Sequence, residues 1–156
     1  MGPLIPFFLS CARSDSADVE RFRSVLEPLL KSSAKFQFGE WMDQQILPGE
    51  HWREEIEQAL ERSRFGLLLV SPGFFASDYI TKNELPALLA KPMMVPVELQ
   101  RILFDGTMNL KGLEDRQVFR DSKGRSFDGC RSKATQRDFV RELFGKICAL
   151  LEKSRC

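Results

Sequence analysis

The chain has 156 residues, of which 43% are hydrophobic and 29% charged, and its net charge is +1. That length suits one domain, with enough apolar side chain to bury a core without disulfide or metal staples. A charge so close to zero gives no global attraction to nucleic acid or to an anionic membrane, and no apolar run is as long as a bilayer span.

The opening run, MGPLIPFFLSC, lacks the basic start of a secretion signal and reads as a first strand over Leu4 to Ser10. Ser14, Asp15 and Ser16 are N-cap candidates for the helix that follows. In that helix Val19, Phe22, Leu26, Leu29 and Leu30 recur at helical spacing. Phe36 and Phe38 then alternate with polar neighbours, as a strand does. Pro48-Gly49 marks a turn. The next helix places carboxylates, Glu50 and Glu54, near its start, and Trp52, Ile56, Ala59 and Leu60 form its inward stripe.

Phe65 to Val70 (FGLLLV) is apolar without alternation, the pattern of a strand buried on both faces of a parallel sheet. Ser71-Pro72-Gly73 ends it. Ser77 or Asp78 can cap a helix that carries Glu84, and Pro86 should kink or end that helix nearby. Met93 to Leu99 is a fourth strand, in which Pro96 argues for an edge or irregular position. Residues 101 to 134 are weakly periodic and hold long loops and a short fifth strand near Val118-Phe119. From Lys111 to Arg137 basic residues outnumber acidic ones, but with only Phe119 and Phe127 as interleaved aromatics the stretch reads as a solvated face rather than a nucleic-acid groove. Phe139, Val140, Leu143, Phe144, Ile147, Leu150 and Leu151 mark a last helix from about Gln136 to Glu152.

Strand-helix alternation implies an α/β fold, with a parallel sheet and helices on both faces. The expected architecture is a flavodoxin-like three-layer fold around a five-stranded parallel sheet of order 2-1-3-4-5, as one domain over residues 1–156. Ligands of such folds bind beyond the carboxyl ends of the strands. The loops after Ser10 and Ser71 flank that crevice, and Glu84 overhangs it.

The cysteines are Cys11, Cys130, Cys148 and Cys156, with no C-x-x-C pair, and the only histidine is His51. No zinc-ligand constellation or disulfide framework emerges, which makes a reducing cytoplasm the default location.

Four segments in order, FFLSCARSD, EWMDQQILPGEHWREEIEQALERS, GLLLVSPGFFASDY and NELPALL, resemble a bacterial TIR (Toll/interleukin-1 receptor/resistance protein) domain of the NAD-cleaving type. The resemblance runs from Phe7 to about Leu89. It implies that Ser10 to Asp15 is the loop after the first strand and that Asp43 to Glu50 is the BB loop. Glu84 then matches the glutamate with which such domains cleave NAD+, a substrate rather than a cofactor. It also implies activation by association with other TIR domains, fusion to a sensor domain and a role in antiphage defence. Two positions depart from the pattern: Cys11 replaces the usual aromatic after the serine, and Ile80 stands four residues before Glu84, where Cys or Trp is usual. Tyr79 beside it offers an aromatic surface.

One carboxylate suffices for this chemistry. Nicotinamide leaves from a pyridinium as a neutral molecule, so no general acid is needed, unlike ordinary glycoside hydrolysis. An anion beside the ribose stabilises the positive charge that grows there in the transition state. Further candidate substrate-binding residues, each with a structural alternative, surround Glu84. Ser10 and Ser71 could bond ribose or amide groups, or simply end strands. Arg13 could meet a phosphate or stack on a base, or remain a surface cation. Trp41 could pack on a ring or fill the core, and Asp43 could bond ribose or order its loop. Leu47 and Gly49 shape a contact loop or an ordinary turn. Of Phe74 and Phe75, one is core and the other a pocket wall, and Tyr79 and Ile80 complete the set. A non-catalytic TIR scaffold and a nucleoside deoxyribosyltransferase-like enzyme are the competing readings.

Overall fold

The computed structural model describes residues 2–42, 49 and 51–154. Among these residues four strands, β1 (Leu4–Ser10), β2 (Gln37–Trp41), β3 (Phe65–Val70) and β4 (Met94–Glu98), form one sheet of order β2-β1-β3-β4. Every pairing is parallel. The described residues also form five α-helices: α1 (Ser16–Lys31), α2 (Trp52–Arg62), α3 (Pro72–Ala76), α4 (Leu85–Leu89) and α5 (Lys133–Lys153). A π-helical turn, Ile80–Glu84, runs directly into α4.

Because side chains alternate across a strand, the sheet sorts the core into two layers. Phe7 and Leu9 of β1 with Phe65, Leu67 and Leu69 of β3 point to one face, which α1 and α5 cover. Phe8 with Leu68 and Val70 points to the other, which α2, α3 and α4 cover. All six residues of β3 are buried, as a central strand between two helical layers requires.

The fifth strand does not form among the described residues. Its place is taken by a single bridge, Val97 to Phe119. Two backbone hydrogen bonds make it: Phe119 N–H donates to the Pro96 carbonyl (2.8 Å) and Glu98 N–H donates to the Phe119 carbonyl (3.0 Å). The chain cannot stay extended beyond Phe119, because Asp121 immediately folds a turn. Its carboxylate accepts from the backbone N–H groups of Lys123 (3.1 Å) and Arg125 (2.7 Å). The same bridge explains why β4 tolerates Pro96. The backbone polar groups of residues 96 and 98 face outward, away from β3, so the missing N–H of Pro96 costs the β3–β4 ladder nothing.

Other local expectations shift for identifiable reasons. Ser77 caps the turn before Glu84, its hydroxyl accepting from Ile80 N–H at 3.3 Å. The α5 helix starts earlier than its apolar pattern, at Lys133, because Ser132 and Thr135 form a capping box there. Asp15, at the N-cap of α1, makes no capping bond with its side chain, which is engaged elsewhere. Trp52 is not part of the inward stripe of α2 and stays 49% exposed. It is the first residue of that helix, and a helical side chain leans toward the preceding turn, which places the indole beyond the sheet.

Candidate active site

The carboxyl ends of β1 and β3 meet beside the turn that carries Glu84. In a regular α-helix the Pro86 ring would press on the carbonyl of Lys82, four residues back. The backbone widens instead: Leu85 N–H donates to the Ile80 carbonyl, five residues back. Such π-turns occur frequently at functional sites. Here the turn directs Glu84 inward, 3% exposed, to the end of β1. Ser10 Oγ donates to Glu84 Oε1 at 2.8 Å, and Ser10 is itself 1% exposed. A buried carboxylate is costly without such a partner.

Glu84 lines a cleft of about 880 Å³. One wall is the β1–α1 loop, with Cys11, Ala12, Arg13 and Ser14. Facing it are Trp52 and Ile56 of α2, Gly73 and Ala76 at α3, and Ser77, Tyr79 and Ile80. The Trp52 and Tyr79 rings sit 5.8 Å apart at the mouth. The volume suits a small organic ligand.

A second polar cluster holds the loops that frame this cleft. The buried Asp15 carboxylate accepts from Ser71 Oγ, at the end of β3, and from Gln100 Nε2 (3.3 Å), just past β4. Gln100 also donates to Asp18 at 2.7 Å. Ser71 Oγ accepts from Phe74 N–H at 3.0 Å and so caps α3. The loops after β1, β3 and β4 are thereby tied together behind the cleft. Gly73 is the point of closest approach, since a Cβ there would lie 2.8 Å from Ser14 Oγ.

Of the sequence candidates, the structure gathers Glu84, Ser10, Arg13, Tyr79 and Ile80 around one cleft. Ser71 lies one layer deeper, bonded to Asp15 rather than lining the cleft. Phe74 is fully buried in the core, so neither it nor Phe75, which is 7% exposed, forms a cleft wall. Trp41 stacks on Phe8 with ring centroids 5.1 Å apart, against the same core layer. Gly49 has a φ of 90°, the left-handed region that suits glycine in a turn. Asp43 and Leu47 lie outside the described residues. Two contributors escaped the sequence reading. Trp52 resembled a core position, and Asp15 resembled a helix cap. A Trp at the very start of a helix after a Pro-Gly loop was the available signal for the first; only the fold reveals the second.

Among the described residues, no helix is long and apolar enough to cross a membrane. No curated protein matches the chain. The family model described as "TIR domain" matches residues 7–131, most of the chain and all four strands but the start of the first. The chain belongs to the TIR domain family, whose members include NAD-cleaving enzymes and scaffolds and associate with other TIR domains.

Proposed function

We propose that this TIR domain is an NAD+ glycohydrolase. It breaks the nicotinamide–ribose bond, releasing nicotinamide and ADP-ribose or a cyclised product. The observation that carries this reading is the burial of Glu84 at the cleft, with one carboxylate oxygen fixed by Ser10. A carboxylate held in place before substrate arrives need not reorganise as positive charge develops on the ribose. The walls supply apolar and aromatic surface for planar rings, and Arg13 supplies a cation for the diphosphate. The substrate brings its own leaving group as a pyridinium, so the site needs neither a general acid nor a nucleophile activated by histidine.

Activation by association with further copies of the domain fits the family, and a bacterial antiphage effector is the corresponding biological role. The alternative of a scaffold without activity is favoured by Ile80. That residue puts an aliphatic side chain, 3% exposed, where the resemblance to NAD-cleaving TIR domains implies Cys or Trp.

The test is cleavage of a fluorescent NAD+ analogue by the wild type and Glu84→Gln, with concentration and crowding raised to force assembly. Turnover by the wild type and its loss by roughly three orders of magnitude or more in Glu84→Gln is the expected result. Turnover that survives the substitution overturns the role of Glu84. Silence of the assembled wild type favours the scaffold, and cleavage of deoxynucleosides without cleavage of NAD+ favours a transferase.

A further inference from the structure

Two stripes of opposite charge lie on opposite faces of the sheet. Lys133, Arg137 and Arg141 recur every four residues along α5 and are exposed. With Ser24, Val25, Pro28 and Leu29 of α1 they line a groove of about 340 Å³ with an apolar floor and a cationic rim. On α2, Glu54, Glu57 and Glu61 are exposed and recur at helical spacing. The stripes span roughly 12 and 10 Å at the rise of an α-helix.

Among the described residues, a single i,i+3 pair on α5 is all that either helix offers its own stripe. Like charges four apart on a helix are unfavourable, yet Lys133, Arg137 and Arg141 follow one another at that interval. On α2, the residues four beyond Glu54, Glu57 and Glu61 are Gln58, Glu61 and Phe65. Among the described residues the only ion pair within 4 Å made by any of the six is that of Arg141 with Asp138, at 3.2 Å, while Glu61 also feels the charge of Lys91 at longer range. The two arginines of α2 turn to their own helix: Arg53 sits over the Trp52 ring, and Arg62 donates to the Gln58 carbonyl at 3.3 Å. Within one molecule the stripes cannot meet, because α5 packs on one layer of the core and α2 on the other.

We propose that the α1–α5 groove receives α2 of a second copy of this chain, glutamates against the cationic rim. Because the donor and acceptor surfaces differ, the contact is head to tail, and repetition builds an open chain of protomers rather than a closed dimer. Exposed pairs are individually weak and screened by salt, so assembly is shallow at physiological ionic strength and grows with local concentration. This specifies the surface for the self-association part of the proposed function and rests on that part alone.

Sedimentation equilibrium on the full chain tests it by mass rather than turnover, so the two readings fail separately. At low ionic strength the average mass of the wild type rises with concentration, and high salt returns it to the monomer. Glu54→Lys/Glu57→Lys/Glu61→Lys and Lys133→Glu/Arg137→Glu/Arg141→Glu each lose association by roughly a hundredfold or more. Mixing the two restores it, because each reversed stripe then faces a complementary one. Should a triple variant misfold by circular dichroism, the pair Glu57→Lys and Arg137→Glu replaces it. A wild type monomeric at every concentration, a reversed variant that associates like the wild type, or a mixture that stays monomeric overturns the proposal.

Discussion

Ser10 shows how one hydroxyl links fold and chemistry at the residue scale. It ends β1, pairs across to Leu68 of β3, and donates to a buried carboxylate 74 positions away in sequence. Removing it takes one hydrogen bond from a buried carboxylate, a loss of about 1–3 kcal/mol. Ser10→Ala should therefore lower the melting temperature by roughly 2–12 °C at this size. If Glu84 works as proposed, Ser10→Ala also lowers kcat, by less than Glu84→Gln does, because the carboxylate remains but is less well aimed. Ser10→Thr keeps the hydroxyl and should recover part of both losses. Equal melting of the wild type and Ser10→Ala would mean that the bond contributes nothing to the fold. Asp15 plays a different part: its bonds to Ser71 and Gln100 tie loops to one another, so it shapes the cleft without lining it.

The placement of Glu84 also depends on a glycine in β3, which acts at the scale of elements. The π-turn fixes the direction of Glu84 only if α4, which follows it, is held in place. That seat is Gly66. A Cβ at this position would lie 2.4 Å from Leu88 Cδ2 and 3.3 Å from its Cγ, inside a fully buried contact. Gly66→Ala thus forces the Leu88 side chain of α4 out of its seat at a cost of about 1–3 kcal/mol. Leu88→Ala opens a cavity at about 2–5 kcal/mol. The double variant should cost less than the sum of the two, since each change relieves the other, and a denaturant-unfolding double-mutant cycle reads the coupling. Strict additivity would show that α4 does not rest on Gly66. This element is also where sequence reading met its limit. The unbroken apolar run of β3, the periodicities of α1 and α5 and the parallel order of the first four strands were legible, because burial writes itself as period. Pro86 announced a disruption, but not that the backbone would widen by one residue rather than kink. The fifth strand failed because a strand-like pair, Val118-Phe119, gave no sign that Asp121 would gather the next backbone N–H groups. Trp52 was misplaced because periodicity assigns a face without saying where the sheet beneath it ends. In the site, Glu84, Ser10 and Arg13 followed from motif order, whereas Ser71, Phe74 and Trp41 sat at plausible positions in sequence and turned into other surroundings.

The loop after Phe119 makes the pH dependence of the whole molecule legible. Burial alone would raise the pKa of Asp121. The backbone N–H of Arg125, its guanidinium (Nε to Oδ2, 2.6 Å) and the N–H of Lys123 outweigh burial and hold the carboxyl below the ordinary aspartate range. A group whose pKa is depressed by folding binds its proton more readily in the unfolded chain. Its stabilisation is therefore complete above the ordinary aspartate value and is lost as the pH falls through that value toward the lower one of the folded state. Stability should accordingly decline on the acid side through this range while the neutral region stays flat with respect to this group. Asp121→Asn removes the charge-assisted bonds, worth about 2 kcal/mol together. It should lower the melting temperature at neutral pH by roughly 4–8 °C. Below the folded-state value the gap between variant and wild type should shrink, because the wild-type carboxyl is then protonated as well. The loop that Asp121 ties down is the one that supplies the lone bridge to β4, so loosening it exposes the edge of the sheet. Melting curves of both proteins across the acid range decide the matter: a gap that stays constant with pH would show that the loss in Asp121→Asn comes from packing and not from the charge.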